Sequence, residues 1–252
     1  MRSKREREAA RALGAQRIRQ GLQLRRAGDF EKAKLAYEQG VGALLTAGDL
    51  EAAATGLTNL GALALQTGDL DGAVEAFSEA RRTASGPGRA AAYAAGNLGL
   101  VARERGDVAE AAAYFHEAMG IHTALGDRRG AAQALGNLGL LALSRGALAE
   151  AAEALEGSRA EFEALGDPLG QLLAINALGD LDRAEGRVAA ARGRFLKALH
   201  LAEAAGFSEG RRSALQNLGS LARAAGDLDE AERCFRSALE AAERANDPRS
   251  AA

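Results

Sequence analysis

The chain has no tryptophan, one cysteine and three prolines in 252 residues, and aromatic residues make up only 4% of it. Each shortage excludes something. A lone Cys234 cannot form an intrachain disulfide, so no disulfide scaffold is built here, which fits a reducing compartment. So few prolines, with β-branched residues sparse, leave long stretches free to be helical. No stretch has the length and Leu/Ile/Phe content of a membrane span. The opening residues MRSKREREAARALGAQRIRQ are charged and hold no apolar core, unlike a secretory signal. The sequence therefore points to a cytoplasmic protein without membrane attachment. Hydrophobic residues reach 47%, but much of that is Ala and Leu, which favour helix, so the expected fold is all-α.

Gly and Asp are what the chain has in plenty, and they recur on a fixed step. Gly stands at 28, 48, 68, 86, 106, 126, 146, 166, 186, 206 and 226, with Asn246 next. The step is twenty residues except for one of eighteen. Asp follows at 29, 49, 69, 107, 127, 167 and 227. Gly accepts the left-handed conformation that ends a helix, and Asp caps the free N–H groups of the next one. Pro168 after Asp167 suits a first helical position. Each step thus predicts one helix of about four turns and a tight turn.

Alternate steps differ, so the full period is forty. The phrase GNLGL occurs at 96–100 and again at 136–140. Aligned on its second Gly, six copies appear, at Gly21, Gly61, Gly99, Gly139, Gly179 and Gly219. Twelve residues later stands Ala33, Ala73, Ala111, Ala151, Ala191 or Ala231. Four further on stands Tyr37, Phe77, Phe115, Leu155, Phe195 or Phe235. A small residue in mid-helix admits a close neighbour, and the aromatic fills the space between layers. Such a hairpin cannot bury its apolar face alone and must stack on the next. GNLG is therefore a packing device. A phosphate loop needs Gly, four residues, then Gly-Lys-Ser/Thr after a strand, and none is present.

This pattern resembles the tetratricopeptide repeat, on the strength of Leu60-Gly61 with Ala73, Phe77 and Ala80 and their equivalents over residues 14–249. Two features depart from it. The usual repeat is about 34 residues, and its first-helix Trp and Tyr are missing here. The forty-residue NLG/GD variety is similar to Pins-type adaptors and to arrays in bacterial regulators. The resemblance implies a right-handed superhelical solenoid of six antiparallel helix hairpins, at 14–53, 54–91, 92–131, 132–171, 172–211 and 212–249. Residues 1–13 form a basic extension of the first helix.

Both ends look dressed for solvent, as a capped array would be. Residues 1–27 carry a local charge of +7, and residues 28–252 carry −9. The last helix, expected from 228 to 245, is dense in charge, with Glu243 and Arg244 near its end. The basic first helix is read as a solvated cap; an arm for nucleic acid or acidic lipid is the rival reading, and no aromatic residues interleave with its Arg.

No catalytic constellation is legible. His116 and His122 lie six apart on one helix, His200 lies two repeats away, and no Cys/His ligand spacing occurs. Cys234 sits beside the packing slot and reads as a small buried hydrophobe. No enzymatic activity, cofactor or metal is expected.

The resemblance implies binding instead, with the first helix of each hairpin lining a groove. The residue before the Leu of NLG reads Arg19, Asn59, Asn97, Asn137, Ala177 and Asn217, with Asn176 one step early. Asn both donates and accepts, so it can hold a peptide backbone, or else bond a neighbouring helix. Six residues on stand Arg25, Leu65, Arg103, Leu143, Arg183 and Arg223. These Arg either grip carboxylates of a ligand or serve solubility. The expected partner is a protein or peptide, partly acidic, and neither nucleic acid nor membrane. A sensory domain for a signalling peptide or small ligand is the alternative.

Overall fold

The computed structural model describes residues 3–84 and 86–246, with side chains described as far as residue 241. Among the described residues the chain is all helical. In order the helices are α1 (Lys4–Arg26), α2 (Phe30–Ala47), α3 (Leu50–Gln66), α4 (Leu70–Thr83), α5 (Arg89–Arg105) and α6 (Val108–Ala124). Then follow α7 (Arg128–Ser144), α8 (Leu148–Ala164), α9 (Pro168–Ala184), α10 (Val188–Ala204), α11 (Ser208–Ala224) and α12 (Leu228–Asn246). None of the described helices is long and apolar enough to cross a membrane. The side chains of Glu243 and Arg244, part of the expected charged end, lie outside the described residues.

Left-handed Gly follows the helices as the twenty-residue step predicts, except after α4, whose C-cap is an extended Ala84. Gly48 closes α2 at φ 75°, and its N–H bonds the carbonyl of Leu45 at 3.0 Å. The Asp half of the reading holds at some turns only. Asp49, Asp69, Asp127, Asp167 and Asp227 each accept a backbone N–H three residues on. Asp29 and Asp107 make no such cap. At Asp29 the carboxylate binds Lys32 at 2.6 Å instead. The first helix starts with a capping box, Ser3 with Glu6, which the Gly-Asp rhythm does not mark.

The eighteen-residue step comes from α4, which has fourteen residues where its neighbours have seventeen. After it, α5 starts at Gly88 with no cap from its own segment. Glu51 of α3 supplies one, accepting the N–H of Ala90 at 2.9 Å. A Cβ on Gly88 would stand 2.8 Å from that carboxylate.

The chain divides into two compact units, Met1–Ala134 and Leu135–Ala252. In the first, α1–α2, α3–α4 and α5–α6 form antiparallel hairpins; α2 also packs on α3, α4 on α5, and α3 on α5. In the second, α9–α10 and α11–α12 are hairpins; α8 packs on α9, α10 on α11, and α9 on α11. Helix α2 shows why they stack. It buries Ala33, Ala36, Tyr37, Gly40, Val41, Leu44 and Ala47, a helical stripe wide enough to need neighbours on two sides.

The NLG glycine and the aromatic slot meet directly. A Cβ on Gly61 would lie 2.5 Å from the ring of Phe77, on Gly99 2.6 Å from Phe115, and on Gly179 2.4 Å from Phe195. The rings of Phe77, Phe115 and Phe195 are fully buried. Each ring occupies the place a side chain on the facing helix would take, which glycine leaves empty.

Candidate functional site

The first helices carry the polar positions singled out in the sequence. In the first unit these are Arg19 on α1, Asn59 on α3 and Asn97 on α5; Arg19 is exposed and both Asn are half-buried. The Nδ2 of Asn97 donates to the carbonyl of Tyr93 on its own helix at 2.8 Å. This leaves its Oδ1 and second N–H for another group. In the second unit, Asn137 and Asn217 are half-buried on α7 and α11. Asn176 differs. It is 8% exposed, and its Oδ1 is buried with no hydrogen-bond partner, while Ala177 is buried too. In the fifth repeat, therefore, neither residue is presented on the surface, because α9 is enclosed along most of its length.

The Arg positions have varied surroundings. Leu65 and Arg103, equivalent residues of α3 and α5, line one cleft of 350 Å³ with Leu70 and Leu100. Arg183 pairs with Asp180 on its own helix at 3.0 Å. The guanidinium of Arg223 sits 6.0 Å from the ring centre of Phe235. Arg25 lies close enough to the buried Tyr37 to oppose, by its charge, the upward push that burial gives that phenol's pKa. Arg223 thus covers the packing aromatic of its own hairpin. Arg103, by contrast, faces the cleft with Leu65 and Leu100.

The structure also assembles a cluster that residue spacing did not reveal. His122 is buried, 3% exposed, against the edge of Tyr93 at 5.2 Å. Its Nδ1 lies 3.2 Å from Asp127 Oδ2, and Arg89 reaches the same carboxylate at 3.5 Å. Gly130 leaves room for the imidazole: a Cβ there would sit 2.2 Å from Nδ1. The equivalent pair in the fourth repeat is Phe162 under Gly170, so His122 fills a packing slot and the helix cap satisfies its polar edge. His116 and His200 are exposed and stand apart from it. Cys234 is half-buried beside Phe195 and Leu218, and burial, together with Glu230, raises its thiol pKa.

Burial pushes the Asp127 pKa up. The N–H of Gly130 and the neighbouring His122 and Arg89 outweigh this and hold it below the ordinary 3.8. A carboxyl whose folded value is depressed stabilises the fold above its unfolded pKa and loses that contribution as pH falls through the folded value. Asp127→Ala is therefore expected to cost about 1 kcal/mol at neutral pH. Urea unfolding of both proteins at stepwise lower pH should show the difference closing below 3.8. A gap that stays constant with pH would mean that the carboxylate charge is irrelevant.

Two family models match the chain, both described as tetratricopeptide repeat. One covers residues 89–160 and 171–244, the other residues 18–90. No curated protein matches it. Among solved structures it is similar to BtubC (BKLC) from P. vanneervenii, at 21% identity and a TM-score of 0.61, covering 94% of this chain and 92% of that one. It is also similar to PilF of Pseudomonas aeruginosa, at 22% identity and a TM-score of 0.59, covering 90% of each. A third is a Rap protein complexed with competence and sporulation factor, at 14% identity and a TM-score of 0.63, covering 90% of this chain and 74% of that one. At these identities the likeness is one of fold.

Proposed function

The chain belongs to the tetratricopeptide repeat family, and on that premise we propose that it is a non-catalytic scaffold that binds a peptide segment of a partner protein along its first helices. The observation that carries this reading is the recurrence of partly exposed Asn at 59, 97, 137 and 217, at a position where Ala177 shows that Ala also fits. Asn97 spends one donor on its own helix and keeps a donor and an acceptor, the complement of an extended backbone. Arg103, in its cleft with Leu65 and Leu100, adds a site for a carboxylate beside an apolar side chain. Arg183 and Arg223 contribute less, since each is already occupied within its own hairpin.

The test is affinity capture from the source cell's lysate with wild type and an Asn97→Ala/Asn137→Ala/Arg103→Glu variant. A protein retained by wild type alone, with helicity and melting unchanged in the variant, is the expected result. Equal capture by both forms removes the first-helix assignment. The likeness to a Rap protein complexed with competence and sporulation factor supports a second reading, a sensory domain for a signalling peptide. A change in radius of gyration when such a peptide is added would favour it over the scaffold.

A further inference from the structure

The second helices build a different surface. Within the first unit, α2 and α4 are the walls of a groove of 620 Å³ whose floor is α3. The floor and lower walls are apolar: Val41, Leu45, Leu57, Leu60 and Ala64. Leu45 is 43% exposed there. The rim is acidic, with Glu31, Glu38, Asp69, Glu75 and Glu79 against a single Lys34. Among the described residues no hydrogen bond or ion pair engages the carboxylates of Glu31, Glu38, Glu75 or Glu79. Gly42 faces the groove from mid-helix, and a Cβ on it would meet nothing within 4 Å. Gly there costs helix stability, and among the described residues no contact requires it.

Within each unit, side chains bridge the corresponding gaps between other second helices. Arg194 of α10 crosses to Glu156 of α8 at 3.2 Å and down to Asp182 of α9 at 2.7 Å. The equivalents of these three residues in the first groove are Ala76, Glu38 and Ala64, so the acid remains and the bridge is missing. Between α4 and α6, Tyr114 takes the place of Ala76, and Arg81 stacks on its ring at 5.6 Å and reaches Glu117 at 3.2 Å. Between α10 and α12, Arg192 grips Glu230 with two bonds of 2.6 and 2.8 Å. Among the described residues no bond runs from α2 to α4.

We infer that the α2–α3–α4 groove docks a basic amphipathic helix of a partner protein. Its apolar face lies on Leu57, Leu60 and Leu45, and its Lys or Arg side chains supply the cations that Arg194 and Arg192 supply elsewhere. Charge complementarity sets the sign of the occupant, and a helix laid between two helical walls matches the shape. The fourteen residues of α4 set the length at about 21 Å, some four turns. The chain's own basic helix in a second copy does not fit this description. The apolar side of α1 is already spent, with Gly14 under Leu44, Ile18 against Gly40, and Gly21 under Tyr37. The Asn positions do not line the groove, so this surface stands or falls apart from the scaffold reading.

The probe is a fluorescein-labelled fourteen-residue Leu/Lys amphipathic helix, with a Leu/Glu counterpart, titrated into the full chain. Wild type should bind the Lys peptide one to one and ignore the Glu peptide. Ala76→Arg, which transplants the bridge of the second unit, should weaken binding about tenfold with melting unchanged. Ala113→Arg, the same charge on an exposed site of α6, and Asn97→Ala should both leave binding intact. The inference is overturned if wild type does not bind, if both Arg variants bind equally, or if the Glu peptide competes. It is also overturned if wild type sediments as a dimer that Ala76→Arg dissociates, since a second copy would then cover the groove.

Discussion

Replacing Phe115 with Ala is expected to lower the unfolding free energy by about 3–5 kcal/mol, a larger effect than any surface change in the chain. The ring is fully buried, and it rests on the backbone of α5 where Gly99 has no side chain. Its loss opens a void that two helix backbones hold apart and cannot collapse. Gly99→Ala attacks the same contact from the other side. It gains about 1 kcal/mol of helix propensity but forces a Cβ to 2.6 Å from the ring. Overpacking of that kind costs about 1–3 kcal/mol, so the net change should be a loss. In the double variant with Phe115→Ala that Cβ has no ring to strike, so Gly99→Ala should cost little on that background. Denaturant unfolding of the two single variants and the double one would measure the coupling. Additive losses would show that the two residues do not share a contact.

The second large effect is an asymmetry at Asp182. Its carboxylate is 2% exposed and is held by Arg187 at 2.6 Å and Arg194 at 2.7 Å. Removing a cation leaves a buried anion short of a partner, whereas removing the anion leaves two partly exposed guanidinium groups that water can reach. Arg194→Ala is therefore expected to cost about 3 kcal/mol. Asp182→Ala should cost well under half of that, because Ala occupies the same place in the second, third, fourth and sixth repeats, at Ala64, Ala102, Ala142 and Ala222. The double variant should recover most of what Arg194→Ala loses. Thermal unfolding of the three proteins decides the matter. If Asp182→Ala is as damaging as Arg194→Ala, the pair acts as a net source of stability and not as a compensated burial.

The helix count and the hairpin pattern were legible because they rest on local chemistry. Gly in the left-handed region ends a helix wherever it stands, as at Gly48, and the spacing from Gly61 to Phe77 places a gap beside a ring without reference to the rest of the chain. Caps were legible only in part. Asp49 caps α3 from within its own segment, whereas α5 takes its cap from Glu51, thirty-nine residues upstream. The candidate site was less legible. Asn97 and Asn176 look alike in the sequence, yet the first is half-exposed and the second enclosed, since exposure depends on what packs over the helix. Arg103 and Arg223 occupy equivalent positions, but one lines a cleft and the other covers Phe235.

The sequence by itself determined the all-helical fold, the forty-residue hairpin period and the slots where glycine admits a ring, because each follows from the conformational preference or size of residues at fixed spacing. Only the tertiary structure decided which polar side chains are presented and which are spent. Whether Glu38 stands over an open groove or Glu156 over a closed one depends on Ala76 or Arg194 reaching across from another helix. That choice lies in contacts some forty residues apart, beyond the reach of any local pattern.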